Sequence, residues 1–65
     1  MVLAILYKKD KVEIYDNINT LRMENGNLFF TSGQLYEYSF TKPLDEVAKV
    51  SVNGIIYYDD GKVKL

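Results

Sequence analysis

Residues 49–58, KVSVNGIIYY, carry the clearest secondary-structure signal in the chain. They place Asn53-Gly54 between two runs of β-branched and aromatic residues. Asn and Gly tolerate φ > 0 best, and both central positions of a type I′ turn require it. The stretch therefore predicts a β-hairpin from about Lys49 to Tyr58.

Turn signals of the same kind recur along the chain at Asn25-Gly26, Ser32-Gly33 and Asp60-Gly61. Links of two to four residues join only antiparallel strands, because a parallel crossover needs about a dozen residues. Strands are expected at Val2–Tyr7, Val12–Tyr15, Thr20–Glu24, Leu28–Thr31, Leu35–Thr41, Lys49–Val52, Ile55–Tyr58 and Lys62–Leu65.

The one longer connection, Lys42 to Ala48, carries helix-start signals. Thr41 suits a cap, Pro43 suits an early helical position, and the acidic Asp45-Glu46 pair suits a first turn. We therefore predict a mainly β domain over residues 1–65. Its fold is a small antiparallel meander sheet or a partly closed barrel, with one short helical turn near residues 43–48.

Apolar residues at period two mark the face of each strand that is expected to form the core. These pairs are Val12 and Ile14, Leu21 and Met23, Leu28 and Phe30, and Val50 and Val52. The strand from Leu35 differs, because Tyr36, Tyr38 and Phe40 share one face while Leu35 lies on the other. This excess of apolar surface predicts a homo-oligomer, most simply a two-fold homodimer.

The composition excludes several function classes. The 65 residues contain no His and no Cys. The usual ligand sets of zinc and haem are therefore absent, and so are the His-based and Cys-based catalytic triads. We expect no enzyme activity, no cofactor and no metal site.

A net charge of −1 does not favour nucleic acid, and the apolar run Val2–Leu6 is far shorter than the roughly 18 residues that cross a bilayer. A cytoplasmic protein is expected.

Two residue types are candidates for binding. Of the six tyrosines, Tyr36, Tyr38 and Tyr58 are the candidates for a binding surface, because exposed Tyr is enriched at interfaces. Tyr is also a good strand residue, and a purely packing role stays open. The only arginine, Arg22, is a candidate anchor for a phosphate or carboxylate, with an ion pair to Glu24 or Glu13 as the alternative.

Three segments carry a family resemblance: NGNLFF at 25–30, YEYSF at 36–40 and PLDEVAKVSVNG at 43–54. They resemble the small β-rich proteins encoded by bacteriophages and prophages of Gram-positive bacteria. The resemblance implies a protein without catalytic residues that acts by binding, since several bacteriophage families of this size block a host defence protein or sequester its signalling nucleotide.

The leading expectation is a non-enzymatic, homo-oligomeric binding protein of bacteriophage or prophage origin. It would inhibit a host defence protein or trap a small nucleotide-like ligand in the cytoplasm of the bacterial host. Two alternatives stay open. One is a barrel that binds single-stranded nucleic acid through Lys8, Lys9, Lys11 and aromatic strands. The other is a structural or assembly component.

Overall fold

Residues 1–64 form eight short strands and one 3-10 turn. A computed structural model describes residues 1–64, and the predicted strand end at Leu65 lies outside the described residues. The strands are β1 (Leu3–Tyr7), β2 (Val12–Tyr15), β3 (Ile18–Glu24), β4 (Asn27–Ser32), β5 (Tyr38–Pro43), β6 (Val47–Val52), β7 (Ile55–Asp59) and β8 (Lys62–Val63). The prediction of a mainly β antiparallel fold is confirmed.

The strands belong to two antiparallel sheets. Five strands lie in the order β2-β1-β6-β7-β8, and three lie in the order β3-β4-β5. Within the described residues the two sheets stay separate, so they do not close into a barrel. The 3-10 turn, Leu44–Glu46, connects the last strand of the smaller sheet to the central strand of the larger one.

Three hairpin turns have the backbone that their residues predict. Both central residues have positive φ at Asn25-Gly26 (52° and 75°), Asn53-Gly54 (51° and 82°) and Asp60-Gly61 (48° and 84°). These values fit type I′ turns, whose twist matches that of the flanking strands. The hairpin predicted from Lys49 to Tyr58 is therefore confirmed as β6 and β7.

The inner faces of the two sheets meet in one core. Its ten buried residues are Leu3, Ile5, Ile18, Leu28, Phe30, Leu44, Val47, Val50, Val52 and Tyr58. At its edge the rings of Phe30 and Phe40 stack with centroids 4.9 Å apart, and Tyr15 lies 4.9 Å from Phe30. Two of the predicted core pairs are confirmed, Leu28/Phe30 and Val50/Val52. Leu21 and Met23 are half-buried against the core.

The predicted core role of Val12 and Ile14 is wrong. Their side chains are 56% and 61% exposed on the outer face of the larger sheet, and Glu13 and Tyr15 turn inward instead. Tyr15 packs against the Phe30 ring. The inward carboxylate of Glu13 is tolerated because it accepts a hydrogen bond from the hydroxyl of Tyr7.

The connection between the sheets contains the predicted helical turn. It is a single 3-10 turn whose N-cap position is Pro43, and no side chain caps it. The predicted cap, Thr41, lies instead in β5, where it pairs with Phe29. Leu44 is buried in the core, and its backbone N–H donates to the carbonyl of Gly26 at 2.9 Å. Burial of Leu44 therefore fixes the turn without a polar cap.

Candidate functional site

The structure distributes the four predicted site residues over three places. Tyr36 and Tyr38 lie together at the loop between β4 and β5 and at the first residue of β5. Arg22 lies on β3, and Tyr58 lies on β7. Only the tyrosine pair forms a common exposed surface, so each place is considered separately.

Tyr58 lies in the core. It is 7% exposed, and its hydroxyl donates a long hydrogen bond of 3.4 Å to the carbonyl of Leu44. A β-bulge causes this, because Val50 pairs with Tyr58 while Ser51 pairs with Ile56, which leaves Tyr57 as the extra residue. Tyr58 was expected on a binding surface with Tyr36 and Tyr38. It is buried instead, so it does not share their exposed surface.

The β4–β5 loop is tied to Asn17, just before β3, and to Asn19 in β3. The N–H of Gly33 donates to the carbonyl of Asn17 at 3.0 Å, and the side-chain amide of Gln34 donates to Oδ1 of Asn17 at 3.0 Å. The amide of Asn19 donates to the carbonyl of Gly33 at 3.0 Å and to the carboxylate of Glu37 at 3.1 Å. Four hydrogen bonds thus hold both ends of the loop.

Gly33 is required by the shape of this loop. Its φ is 135°, in a region that L-residues rarely adopt, and a Cβ at this position would lie 1.8 Å from the carbonyl oxygen of Tyr36. The loop therefore folds back onto its own first residue. Ser32 adds a further tie, since its hydroxyl donates to the carbonyl of Asp16 at 2.6 Å.

Apolar side chains project from the loop into solvent. Leu35 is 93% exposed, Tyr36 is 75% exposed, and neighbouring Tyr38 is 62% exposed. We call Leu35 and Tyr36 the loop tip. The loop that carries the loop tip is thus anchored at both ends, through the backbone of Gly33 at one end and the side chain of Glu37 at the other.

Leu35 is the residue of this surface that the sequence did not single out. The sequence placed it on a strand running to Thr41, whereas β5 starts only at Tyr38. Ser32-Gly33 marks a turn just before Leu35, but the residue types at 34–37 give no signal that the loop continues to Glu37.

Arg22 lies on the outer face of the smaller sheet. Its Cζ lies 4.5 Å from the centroid of the Phe29 ring, and its Nε lies 3.5 Å from Oε2 of Glu24. Of the two predicted carboxylate partners, Glu24 is the one observed. The side chain remains about two-thirds exposed, at 65%, which leaves its guanidinium accessible to a ligand.

A polar cluster lies at one end of the molecule around Glu13. Its carboxylate accepts a hydrogen bond from the hydroxyl of Tyr7 and lies 3.5 Å from Nζ of Lys42 and 3.7 Å from Nζ of Lys11. A surface cavity of about 410 Å³ opens beside these residues. Its other lining residues are Lys8, Lys9, Pro43, Asp45 and Glu46, so lysines and carboxylates of opposite charge face it together.

The cluster shifts the titration of its members. The hydrogen bond from Tyr7 lowers the pKa of Glu13, with further lowering by the charge of Lys42, although burial opposes both. Burial, followed by the hydrogen bond to Glu13, raises the pKa of Tyr7. Burial alone would lower the pKa of Lys42, but the interactions with Tyr15 and Glu13 outweigh it and raise that pKa. The Glu13 carboxylate is therefore held in its charged form.

Neither a metal cluster nor a membrane-spanning helix is seen in the part of the chain that the structure describes. Among residues 1–64 no three Asp, Glu, His or Cys side chains lie close enough to hold a metal ion together. Over the same residues no helix is both long and apolar enough to cross a membrane. No family model, no curated protein and no solved structure matches this chain.

Proposed function

We propose that this chain is a non-enzymatic binding protein that docks its loop tip into an apolar pocket of a partner protein. The observation that carries the proposal is the contrast between the exposure of Leu35 and Tyr36 and the anchored loop that presents them. An exposed Leu beside an exposed Tyr has no packing role in the chain itself.

The energetics of recognition favour such an element. Tyr is among the residues that most often dominate binding energy, and it immobilises few rotatable bonds when it is buried in a partner. A loop whose backbone is ordered in advance loses less conformational freedom on binding. The hydrogen bonds of Gly33 with Asn17 and Asn19 supply that order here.

The nature of the partner is proposed from the resemblance to small β-rich bacteriophage proteins. On that basis the partner is a host defence protein, met in the cytoplasm of a bacterium. Support for a non-catalytic role comes from the composition, because the Ser and Thr hydroxyls have no His to activate them.

Affinity capture with matched variants tests the loop tip. The wild-type chain, a Leu35→Ser/Tyr36→Ser variant and a Val63→Ser control, whose side chain is 53% exposed on β8, are each used to capture proteins from a bacterial lysate. We expect one protein to be retained by the wild type and the control and lost by the loop variant.

The captured protein is then purified and titrated. Loss of a central aromatic contact costs about 2 kcal/mol or more, so binding should weaken about 30-fold or more in the loop variant. Equal affinity of all three chains for the captured protein would overturn the proposal, as would a loop variant that captures the same set of proteins.

We also propose that the chain self-associates through the outer face of the larger sheet. Ile14, Ala4, Ser51 and Ile56 form one cross-strand row on this face, and Ile14 and Ile56 are 61% and 43% exposed. Val12, 56% exposed, lies in the next row. Ser51 interrupts the first row, but three exposed β-branched side chains on one sheet face are more apolar surface than an outer face needs, and exposed apolar patches are typical of association sites.

Sedimentation equilibrium tests self-association. A dimer is expected for the wild type, and a monomer for Val12→Ser/Ile14→Ser, with Leu35→Ser as the control that leaves the dimer intact. A monomeric wild type at micromolar concentration would refute it, and so would a dimer that survives the double substitution. A large open assembly would instead support a structural role.

A further inference from the structure

The outer face of the smaller sheet carries two cross-strand rows of side chains with related chemistry. Thr20, Thr31 and Ser39 are paired directly across β3, β4 and β5, so their hydroxyls form the first row. The second row lies two residues further along each strand, about 7 Å away, and consists of Arg22, Phe29 and Thr41. The face thus combines four hydroxyl side chains with one guanidinium.

These two rows border a shallow surface cavity of about 480 Å³. Thr20 and Thr31 have their Oγ1 atoms 2.6 Å apart, so one hydroxyl donates to the other and their positions are fixed. The residues that line the cavity include no Asp and no Glu. The polar part of the lining therefore consists of four hydroxyls and one positive charge, and the rest of the lining is apolar: Leu21, Phe29, Phe30 and Phe40.

Arg22 makes two contacts on this face. Its guanidinium lies over the Phe29 ring, 4.5 Å from Cζ to the ring centroid. Glu24, one row further from the hydroxyls, approaches the Nε side of the guanidinium at 3.5 Å. Since Nε faces Glu24, the Nη1–Nη2 edge of the guanidinium is free of that contact and able to bind an oxyanion through two parallel hydrogen bonds.

We propose that this face is a binding site for the phosphate group of a small phosphorylated ligand, separate from the loop tip. The Nη1–Nη2 edge of Arg22 binds two phosphate oxygens. With Thr20 donating to Thr31, the Thr31 hydroxyl in the neighbouring row keeps its own proton free and donates it to a third oxygen. A phosphate fits better than a carboxylate because it has three terminal oxygens, which matches donors placed in two rows. Phe29, half-buried under the guanidinium, keeps Arg22 oriented toward the ligand.

A two-dimensional amide NMR titration tests the site in the intact chain. The probes are inorganic phosphate, adenosine monophosphate and adenosine. With both phosphate-containing probes we expect saturable shifts confined to Thr20, Arg22, Phe29, Thr31 and Ser39 and their neighbours. Adenosine should cause none. Amide shifts at the lysines that grow with concentration and do not saturate show an adventitious ion only, and they overturn the proposal. Saturable binding of adenosine would overturn it too, since the base would then be the bound group.

Three variants and one control separate this site from general electrostatics. Arg22→Gln should raise the Kd for phosphate by about tenfold or more, because a charge-assisted bidentate contact is lost. Arg22→Lys keeps the charge but loses the fork geometry, so it should restore the affinity only in part. Thr31→Val keeps the shape and strand preference while removing one hydroxyl, and should weaken binding severalfold.

The control is Lys49→Gln, which removes an exposed positive charge from the other sheet. It should leave the Kd unchanged. The proposal is wrong if Lys49→Gln weakens binding as much as Arg22→Gln does, or if Arg22→Lys binds as tightly as the wild type. Each variant's amide spectrum also shows whether it is folded, so a loss of binding is not confused with unfolding.

Discussion

Gly33→Ala is expected to be among the most damaging single-methyl additions to this chain. The new Cβ would lie 1.8 Å from the carbonyl oxygen of Tyr36, whereas ordinary contact begins near 3.4 Å, so the backbone must move by about 1.5 Å. The φ of 135° adds strain of roughly 1–3 kcal/mol. The movement also disturbs the hydrogen bonds of Gly33 with Asn17 and Asn19, at about 1 kcal/mol each.

The expected total is about 3–5 kcal/mol, which approaches the whole stability of a domain of this size. Gly26→Ala is the matched control, because Gly26 also has positive φ (75°) but has no atom within 4 Å of the added Cβ. It should cost only about 1–2 kcal/mol. Any stabilisation that Ala gives by restricting the unfolded chain applies to both variants and cancels.

Urea denaturation followed by circular dichroism measures both variants against the wild type. The midpoint should fall far more for Gly33→Ala than for Gly26→Ala, with little change in slope. If Gly33→Ala is no less stable than Gly26→Ala, the β4–β5 loop does not hold the described conformation. The proposal that the loop tip, Leu35 and Tyr36, is preorganised for binding would then have no structural support.

Two further predictions test the inward polar cluster and the bulge. Tyr7→Phe should raise the pKa of Glu13 toward its ordinary value, because the hydrogen bond that lowers it is lost. In the wild type the folded-state pKa of Glu13 is lowered, so the charged carboxylate stabilises the fold above about pH 4.3. This stabilisation disappears as the pH falls through the folded-state pKa. Urea titrations should therefore show a loss of stability at neutral pH and none in strong acid, and an equal loss at both would contradict this. Tyr58→Ala should cost about 3–5 kcal/mol, and Tyr57→Ala clearly less, since only Tyr58 is buried. Equal thermal shifts for the two variants would show that the bulge is misplaced.

The hairpins could be predicted from the sequence because their chemistry is local. At Asn53-Gly54 two adjacent residues with positive φ determine the turn type, and the turn determines the pairing of the strands on either side. The helical turn near Leu44 was predictable for the same reason, since Pro43 and the acidic residues lie within one turn of each other.

The direction in which β2 faces could not be predicted. Its alternation defines two faces but does not say which one meets the core. Val12 and Ile14 are the more apolar pair, yet the inward pair is Glu13 and Tyr15. The register with β1 places Tyr15 and Glu13 opposite the core residues Leu3 and Ile5, and on that side Lys42 of β5 pairs with the Glu13 carboxylate. Local pattern reasoning has no access to such a partner.

The candidate surface was partly predictable. Tyr36 and Tyr38 were identified from residue type, whereas Leu35 was assigned to a strand. The loop that exposes Leu35 is held by hydrogen bonds with Asn17 and Asn19, which are far away in the sequence and leave no local signal at Leu35. Tyr58 was misplaced because one extra residue in β7 reverses the alternation after Ile56. A bulge of this kind leaves no distinctive residue behind.

The outer faces of the two sheets carry the most information about function, because folding places few demands on them. The core needs only one face of each sheet, and any polar residue that favours strands would serve outside. The larger sheet nevertheless presents Val12, Ile14 and Ile56 outward, whereas the smaller sheet presents a row of hydroxyls beside Arg22. The first face supports the proposed self-association, and the second supports the proposed phosphate site. Substitutions on either face should change what the chain binds while leaving its stability nearly unchanged, typically within about 0.5 kcal/mol.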